Sequence, residues 1–215
     1  MLDHQERDGV LKLSLARGRH GFTLIELAIT LTVMTTLLLM GVPSFVGWLS
    51  NSKVRSVAEG LQNGLRAAQA EAVRRSHQAA FVLTSAAPIK ANATASAIGS
   101  NWYIQLLPAY TGESLDANGF VQGAALGNLA PGVSITGTSV VCFNSMGRVV
   151  ANNNASTSAS FGAVCAAPAA NMTYISYDVT RTGATHPLRV MVGLGGQVRM
   201  CDTTRSLTDA PDGCP

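Results

Sequence analysis

The chain changes its hydrophobic texture three times. Residues 1–21 are polar and of mixed charge, with Arg7, Lys12, Arg17 and Arg19 among them. From Phe22 the pattern becomes continuously apolar, and as far as Leu49 a single charged side chain, Glu26, interrupts it. The 25 residues Phe22–Val46 make about 37 Å of helix, enough to cross a bilayer core of roughly 30 Å with some tilt. Beyond Ser44 the apolar positions Trp48, Val54, Val57, Ala58, Leu61, Leu65, Ala68 and Ala72 recur at three and four. Lys53, Arg55, Glu59, Gln62, Arg66, Gln69 and Arg74 fall between them. That period predicts an amphipathic helix with one face packed on a domain. The whole run reads as one helix from Phe22 to Ser76. Pro43, shortly after Gly41, removes a backbone donor and predicts a kink or a melted turn there. Gly60 and Gly64 each weaken a helix by up to about 1 kcal/mol, and their spacing predicts close approach of a neighbouring backbone.

After His77 the period shortens. Gln78–Thr84, Trp102–Leu107, Gly132–Thr136, Val140–Phe143, Gly147–Val150, Thr173–Thr180, Leu188–Val192 and Gln197–Cys201 read as strands. Each is short, rich in β-branched or aromatic residues, and bounded by Gly, Pro, Asn or Ser. Two pairs predict hairpins: Val140–Phe143 with Arg148–Val150, and Leu188–Val192 with Gln197–Cys201. The Ala/Ser/Thr/Asn tracts Ser85–Ser100 and Ala151–Ala170 predict exposed loops. The fold class is therefore α+β. The domain division is 1–21, a leader; 22–49, a membrane-spanning helix; 50–76, its amphipathic half; and 77–215, a β-rich body.

Charge adds orientation and compartment. The leader holds four basic and three acidic residues of the chain's 15 and 12, leaving 11 against 9 beyond it. So small an excess does not suggest an extended nucleic-acid surface. Basic residues before the span hold the leader on the cytoplasmic side, which puts the body in an oxidising compartment. Cys142, Cys165, Cys201 and Cys214 suit such a place, and their spacing, without Cys-x-x-Cys or a nearby His, does not suit zinc. Three disulfide connectivities are open. The sequential one, Cys142–Cys165 with Cys201–Cys214, is favoured, each bond contributing about 3 kcal/mol in the chain-entropy picture.

Catalytic chemistry finds no footing in the sequence. There is no Gly-x-Ser-x-Gly, phosphate loop or His/Glu metal cluster, so neither an enzyme nor a cofactor is expected. His77 and His186 stand alone in the pattern. Asp116-Ala117-Asn118-Gly119 reads as a turn in which a calcium ligand series stops short. Arg74 and Arg75 suit a helix C-terminus.

Glu26 asks for a different account. Burying a carboxylate at the centre of a bilayer costs roughly 2.5–3.5 kcal/mol on insertion scales, so such a residue reads as functional. The arrangement Gly21-Phe22-Thr23-Leu24-Ile25-Glu26 after a basic leader resembles the signal of type IV prepilins and type II secretion pseudopilins. The resemblance implies cleavage between Gly21 and Phe22 by a prepilin peptidase and methylation of the new Phe22 amine. It implies that Glu26, fifth in the mature chain, pairs with the Phe22 amine of a neighbouring subunit. The family also carries a proline where Pro43 stands. Within that class the body is similar to the GspH/FimT branch, through Phe143-Asn144-Ser145-Met146-Gly147-Arg148 and Val198-Arg199-Met200-Cys201-Asp202.

The resemblance implies a structural subunit that primes or caps a type IV pilus-like filament. Its partners would be other minor pilins or pseudopilins, the major pilin, the peptidase and the inner membrane, with the body on the periplasmic side. An alternative is the equivalent pseudopilin of a type II secretion system. A third is a pilus-borne DNA-binding subunit, since some members of the branch bind DNA through Gly-Arg-x-Arg. Here Gln197 stands at the first Arg of that motif and Arg199 at the second, with Arg189 and Arg205 as neighbouring candidates.

Overall fold

The computed structural model describes residues 21–110, 112–152, 162–165 and 173–215. The predicted leader, apart from Gly21, and most of the tract Ala151–Ala170 lie outside the described residues. Helix α1 runs Leu24–Arg75. Its helical assignment continues through Gly41, Val42 and Pro43, so the expected melted turn is not found. The chain divides into two compact units at that point, Met1–Val42 and Pro43–Pro215.

In the first unit every residue from Gly21 to Val42 is exposed. The threonines within the helix each donate their hydroxyl to a carbonyl one turn back: Thr30 to Leu27, Thr32 to Ile29, Thr35 to Leu31 and Thr36 to Thr32, at 2.7–2.9 Å. A hydroxyl satisfied inside its own helix needs no partner in hydrocarbon.

The second unit holds two five-stranded sheets. In chain order the strands are β1 (Ala79–Thr84), β2 (Asn101–Leu106), β3 (Phe120–Ala125), β4 (Val133–Gly137), β5 (Val140–Phe143), β6 (Val149–Val150), β7 (Tyr174–Arg181), β8 (Leu188–Gly193), β9 (Val198–Ser206) and β10 (Gly213–Cys214), with a one-turn helix α2 (Leu126–Leu129) between β3 and β4. The sheet orders are β3-β2-β1-β5-β6 and β10-β9-β8-β7-β4. All pairings are antiparallel except β9 with β10, which are parallel. Both predicted hairpins are present, β5–β6 and β8–β9. β3 and β10 are additions to the expected set.

One core unites the three layers of packing. The stripe Val54, Val57, Ala58, Leu61, Leu65, Ala68 and Ala72 is buried with Phe81, Ile104, Val141 and Phe143 of the first sheet and Ile175, Tyr177, Val190 and Val192 of the second. Gly60 and Gly64 do permit close packing, but of side chains rather than of a backbone. A Cβ at Gly64 would lie 2.6 Å from the Trp102 ring, and one at Gly60 2.8 Å from a Leu126 methyl.

The segment 85–100 is the irregular loop expected, and half of its residues are exposed, but it also packs on the body. It covers the outer face of the first sheet, burying Ala93 with Ala80, Val82, Tyr103, Val140 and Cys142. Tyr103 donates to the Ala93 carbonyl at 2.6 Å, Thr84 to Thr94, Asn101 to Ala86, and Asn92 and Gln105 bond through their amides. Polar side chains on the strands satisfy the loop's backbone, so the tract can lie down without orphaned groups. That cover explains why β1 and β2 are buried along their whole length.

Candidate functional site

The N-terminal site is built by a helix cap. Thr23 accepts the Glu26 amide on its Oγ1 at 3.3 Å, and its carbonyl accepts the Leu27 amide at 3.1 Å. A Thr whose hydroxyl takes an amide three residues on, with Glu at that position, follows the spacing of a capping box. Thr23 is the capping residue that pattern reading passed over, and Thr-x-x-Glu was its signal. The cap fixes the first turn and so fixes where Glu26 points from. Gly21 has no neighbour near its Cα, Phe22 is 81% exposed, and Glu26 is exposed. No described residue donates to the Glu26 carboxylate. The first turn of a helix favours negative charge electrostatically. Yet the nearest charged side chains described on α1 begin with Lys53, far along the helix. Pro43 lies within α1.

A second group of candidates sits on the C-terminal hairpin, where sheet register decides the outcome. Met191 pairs with Arg199 and Arg189 with Cys201 across β8–β9, so Arg189 and Arg199 are diagonal neighbours on one face. On that face Asp178 stands directly across from Arg189 and receives its guanidinium at 2.6 and 3.3 Å. Asp178 holds the Arg189 pKa above its ordinary value. Arg205 pairs with Asp212 at 3.1 Å, both exposed. Arg199 is exposed and makes no hydrogen bond or ion pair with a described residue. Of the three arginines brought together by the sequence argument, two already have carboxylates.

The hairpin's backbone is held from the helix side. Arg66 donates to the Val198 carbonyl at 3.2 Å, and Gln69 to the Gly147 carbonyl at 2.9 Å. The two predicted turns meet there. The Val149 amide donates to Leu194 at 3.1 Å, and a Cβ at Gly196, whose φ is +87°, would lie 2.0 Å from the Gly147 oxygen. Only glycine fits that approach.

The cysteines are joined as Cys142–Cys165 and Cys201–Cys214. The first ties β5 to the segment bridged with Asn152; the second ties β9 to β10. The histidines, read as solitary, both have partners. His77 bonds the Arg75 carbonyl at 2.8 Å through Nδ1 and Glu113 at 3.1 Å through Nε2. The carbonyl and the carboxylate, in that order, raise its pKa, while His77 and then the Ala109 amide hold Glu113 low. His186 Nδ1 lies 2.9 Å from Asp202. Burial pushes the Asp202 pKa up, but the Thr204 hydroxyl and amide and His186 together outweigh it and hold it low. Among the described residues no group of three or more His, Cys, Asp or Glu could hold a metal.

Residues 16–42 match the prokaryotic N-terminal methylation motif. No curated protein matches the chain. The chain is similar to two crystal forms of the type IV minor pilin FimU of Pseudomonas aeruginosa (strain PAO1). One is 14% identical with a TM-score of 0.41, covering 75% of this chain and 99% of that one. The other is 14% identical with a TM-score of 0.44, covering 76% and 96%. The methylation motif thus covers the start of the apolar helix, and that helix leads into the antiparallel sheets.

Proposed function

We propose that the chain is a minor pilin, a structural subunit and not an enzyme, which primes or caps a type IV pilus-like filament. On this reading residues 1–21 are a leader removed by a prepilin peptidase at Gly21, and Phe22 is then methylated. Residues 22–49 anchor the subunit in the inner membrane, 50–76 carry the helix onto the body, and 77–215 form the periplasmic domain. The observation that carries the reading is Glu26: an exposed carboxylate, without a donor among the described residues, on an apolar helix that shows no other charge as far as Leu49. In apolar surroundings an unpaired charge is costly. A Phe22 amine from the next subunit supplies the missing partner and sets the axial register of the filament. Contacts with other minor pilins and the major pilin fall to the helix and the body.

The secretion pseudopilin reading shares every one of these residues, and a strain lacking this gene separates the two. Loss of surface pili with normal export of secreted enzymes is the expected result. Retained pili with enzymes trapped inside the cell would transfer the subunit to a secretion system. The DNA-binding reading loses support from the pairing of Arg189 and Arg205, which leaves Arg199 as the free guanidinium of that trio.

A further inference from the structure

Among the described residues, one side-chain hydrogen bond ties the segment 112–119, which leads into β3, to the end of α1. His77 meets an acceptor at each ring nitrogen: the Arg75 carbonyl at 2.8 Å on Nδ1 and a Glu113 carboxylate oxygen at 3.1 Å on Nε2. A neutral imidazole carries a single N–H and can donate to only one of them. The imidazolium satisfies both at once. Arg75 is the last residue of α1, so its carbonyl is one that a helix leaves without an internal partner, and a cation beside it suits the helix dipole.

The other charges around the ring are already engaged or lie across the cleft. Arg74 and Arg75 turn their guanidiniums to Glu71, at 2.6 and 2.9 Å, and Asp116 lines the same cleft as His77. The segment itself is not wedged in place. Two cavities border it, one of about 370 Å³ lined by His77, Leu106, Leu115 and Phe120, the other of about 310 Å³ lined by Asn92, Gln105, Leu106 and Glu113. Ala117 and Asn118 have φ of +49° and +56°, a region that such residues occupy where their surroundings hold them. Gly119 pins the far end: a Cβ there would lie 2.5 Å from the Leu106 carbonyl oxygen.

We propose that residues 112–118 form a strap latched to α1 by the His77 imidazolium, and that loss of the ring proton lets the strap lift. Lifting withdraws Leu115, which packs on the edge of the core, and uncovers Leu106, which lines both cavities. The Arg75 carbonyl and then Glu113 raise the His77 pKa, so the latch is shut at mildly acid pH and opens as pH climbs through the raised value. In strong acid it opens again, as Glu113, whose pKa is held low, takes a proton. The device lies wholly within the second unit and is independent of the filament reading above.

The test is amide hydrogen exchange of the full chain in detergent at pH 6 and pH 9, read by mass spectrometry and corrected for the intrinsic pH dependence of exchange. Protection of a peptide spanning 112–119 should fall about tenfold between the two, while peptides from β8 and β9 keep theirs. In His77→Ala the same peptide should be poorly protected at both pH values. His77→Lys, which keeps its charge and several donors across this range, should hold the strap shut at pH 9. Equal protection of the parent strap at the two pH values, or a fall that persists in His77→Ala, would overturn the latch. A fall shared by β8 and β9 would overturn local opening and assign the change to the whole body.

Discussion

From Leu24 to Val42 every residue of α1 is exposed, while from Ser50 to Ala72 the same helix buries Val54, Val57, Ala58, Leu61, Leu65, Ala68 and Ala72 completely or nearly so. Both stretches are rich in apolar residues, and both are helical. The second places its apolar residues on one stripe because two sheets stand ready to cover that stripe. The first spreads them around its circumference, the pattern suited to hydrocarbon, a solvent with no preferred side. A single chain thus carries two different solutions to the burial of apolar surface. One is complete within the subunit, and the other is left for lipid or a neighbouring helix to complete.

The comparison is broken most forcefully by matched truncations. Leu65→Ala removes a fully buried side chain and should destabilise the body by about 2–5 kcal/mol. Leu38→Ala removes the same atoms from an exposed position and should leave unfolding of the body in detergent unchanged. Equal effects at the two positions would contradict the difference in burial between the two stretches.

A smaller effect, of opposite sign, is expected inside the core. The Tyr177 hydroxyl is buried without a hydrogen-bond partner among the described residues. Burial drives its pKa far above the ordinary tyrosine value. Tyr177→Phe removes the orphaned group and keeps the ring that meets Phe81 edge-on at 6.1 Å. The variant should unfold at higher temperature, gaining about 1 kcal/mol; a loss of stability would mean that the hydroxyl is satisfied.

The weakest predicted effect lies at the helix end, in the pH dependence of His77 with Glu113. The His77 pKa is raised, so its contribution is complete below the ordinary 6.5 and fades as pH climbs through the raised value. The Glu113 pKa is lowered, so its contribution is complete above the ordinary 4.5 and fades as pH falls through the lowered value. Their pairing is therefore at full strength between about 4.5 and 6.5. The stability difference between the parent and His77→Ala should be largest in that window and shrink in alkali. A difference that grows with pH would contradict this assignment.

Periodicity made the helix, its change of character and most strands legible, because α1, β1, β2, β5, β7 and β8 carry dense apolar patterns of their own. It missed β3, whose Phe-Val-Gln-Gly-Ala-Ala lacks a β-branched run and is held as an edge by pairing with β2. It missed β10, a two-residue strand positioned by the Cys201–Cys214 bond and the register of β9. Segment 85–100 read as solvent-exposed because it is a tract of small residues without periodicity, but its partners, Thr84, Asn101, Tyr103 and Gln105, become visible only once β1 and β2 are paired. At the candidate site, Gly21, Phe22 and Glu26 were proposed from local order alone, and the cap at Thr23 could have been found by counting three residues back from Glu26. The neutralisation of Arg189 was not, since Asp178 meets it through a strand register that local pattern does not specify.

The central claim is that Glu26 is left unpaired within one subunit so that the next can pair with it. Its most direct test is the share of processed Glu26→Ala protein found in sheared filaments, compared with the processed form remaining in the membrane. The account predicts normal processing at Gly21 and filament content reduced by about a hundredfold, as expected when one partner of a buried ion pair is removed. Incorporation at the parental level would contradict it.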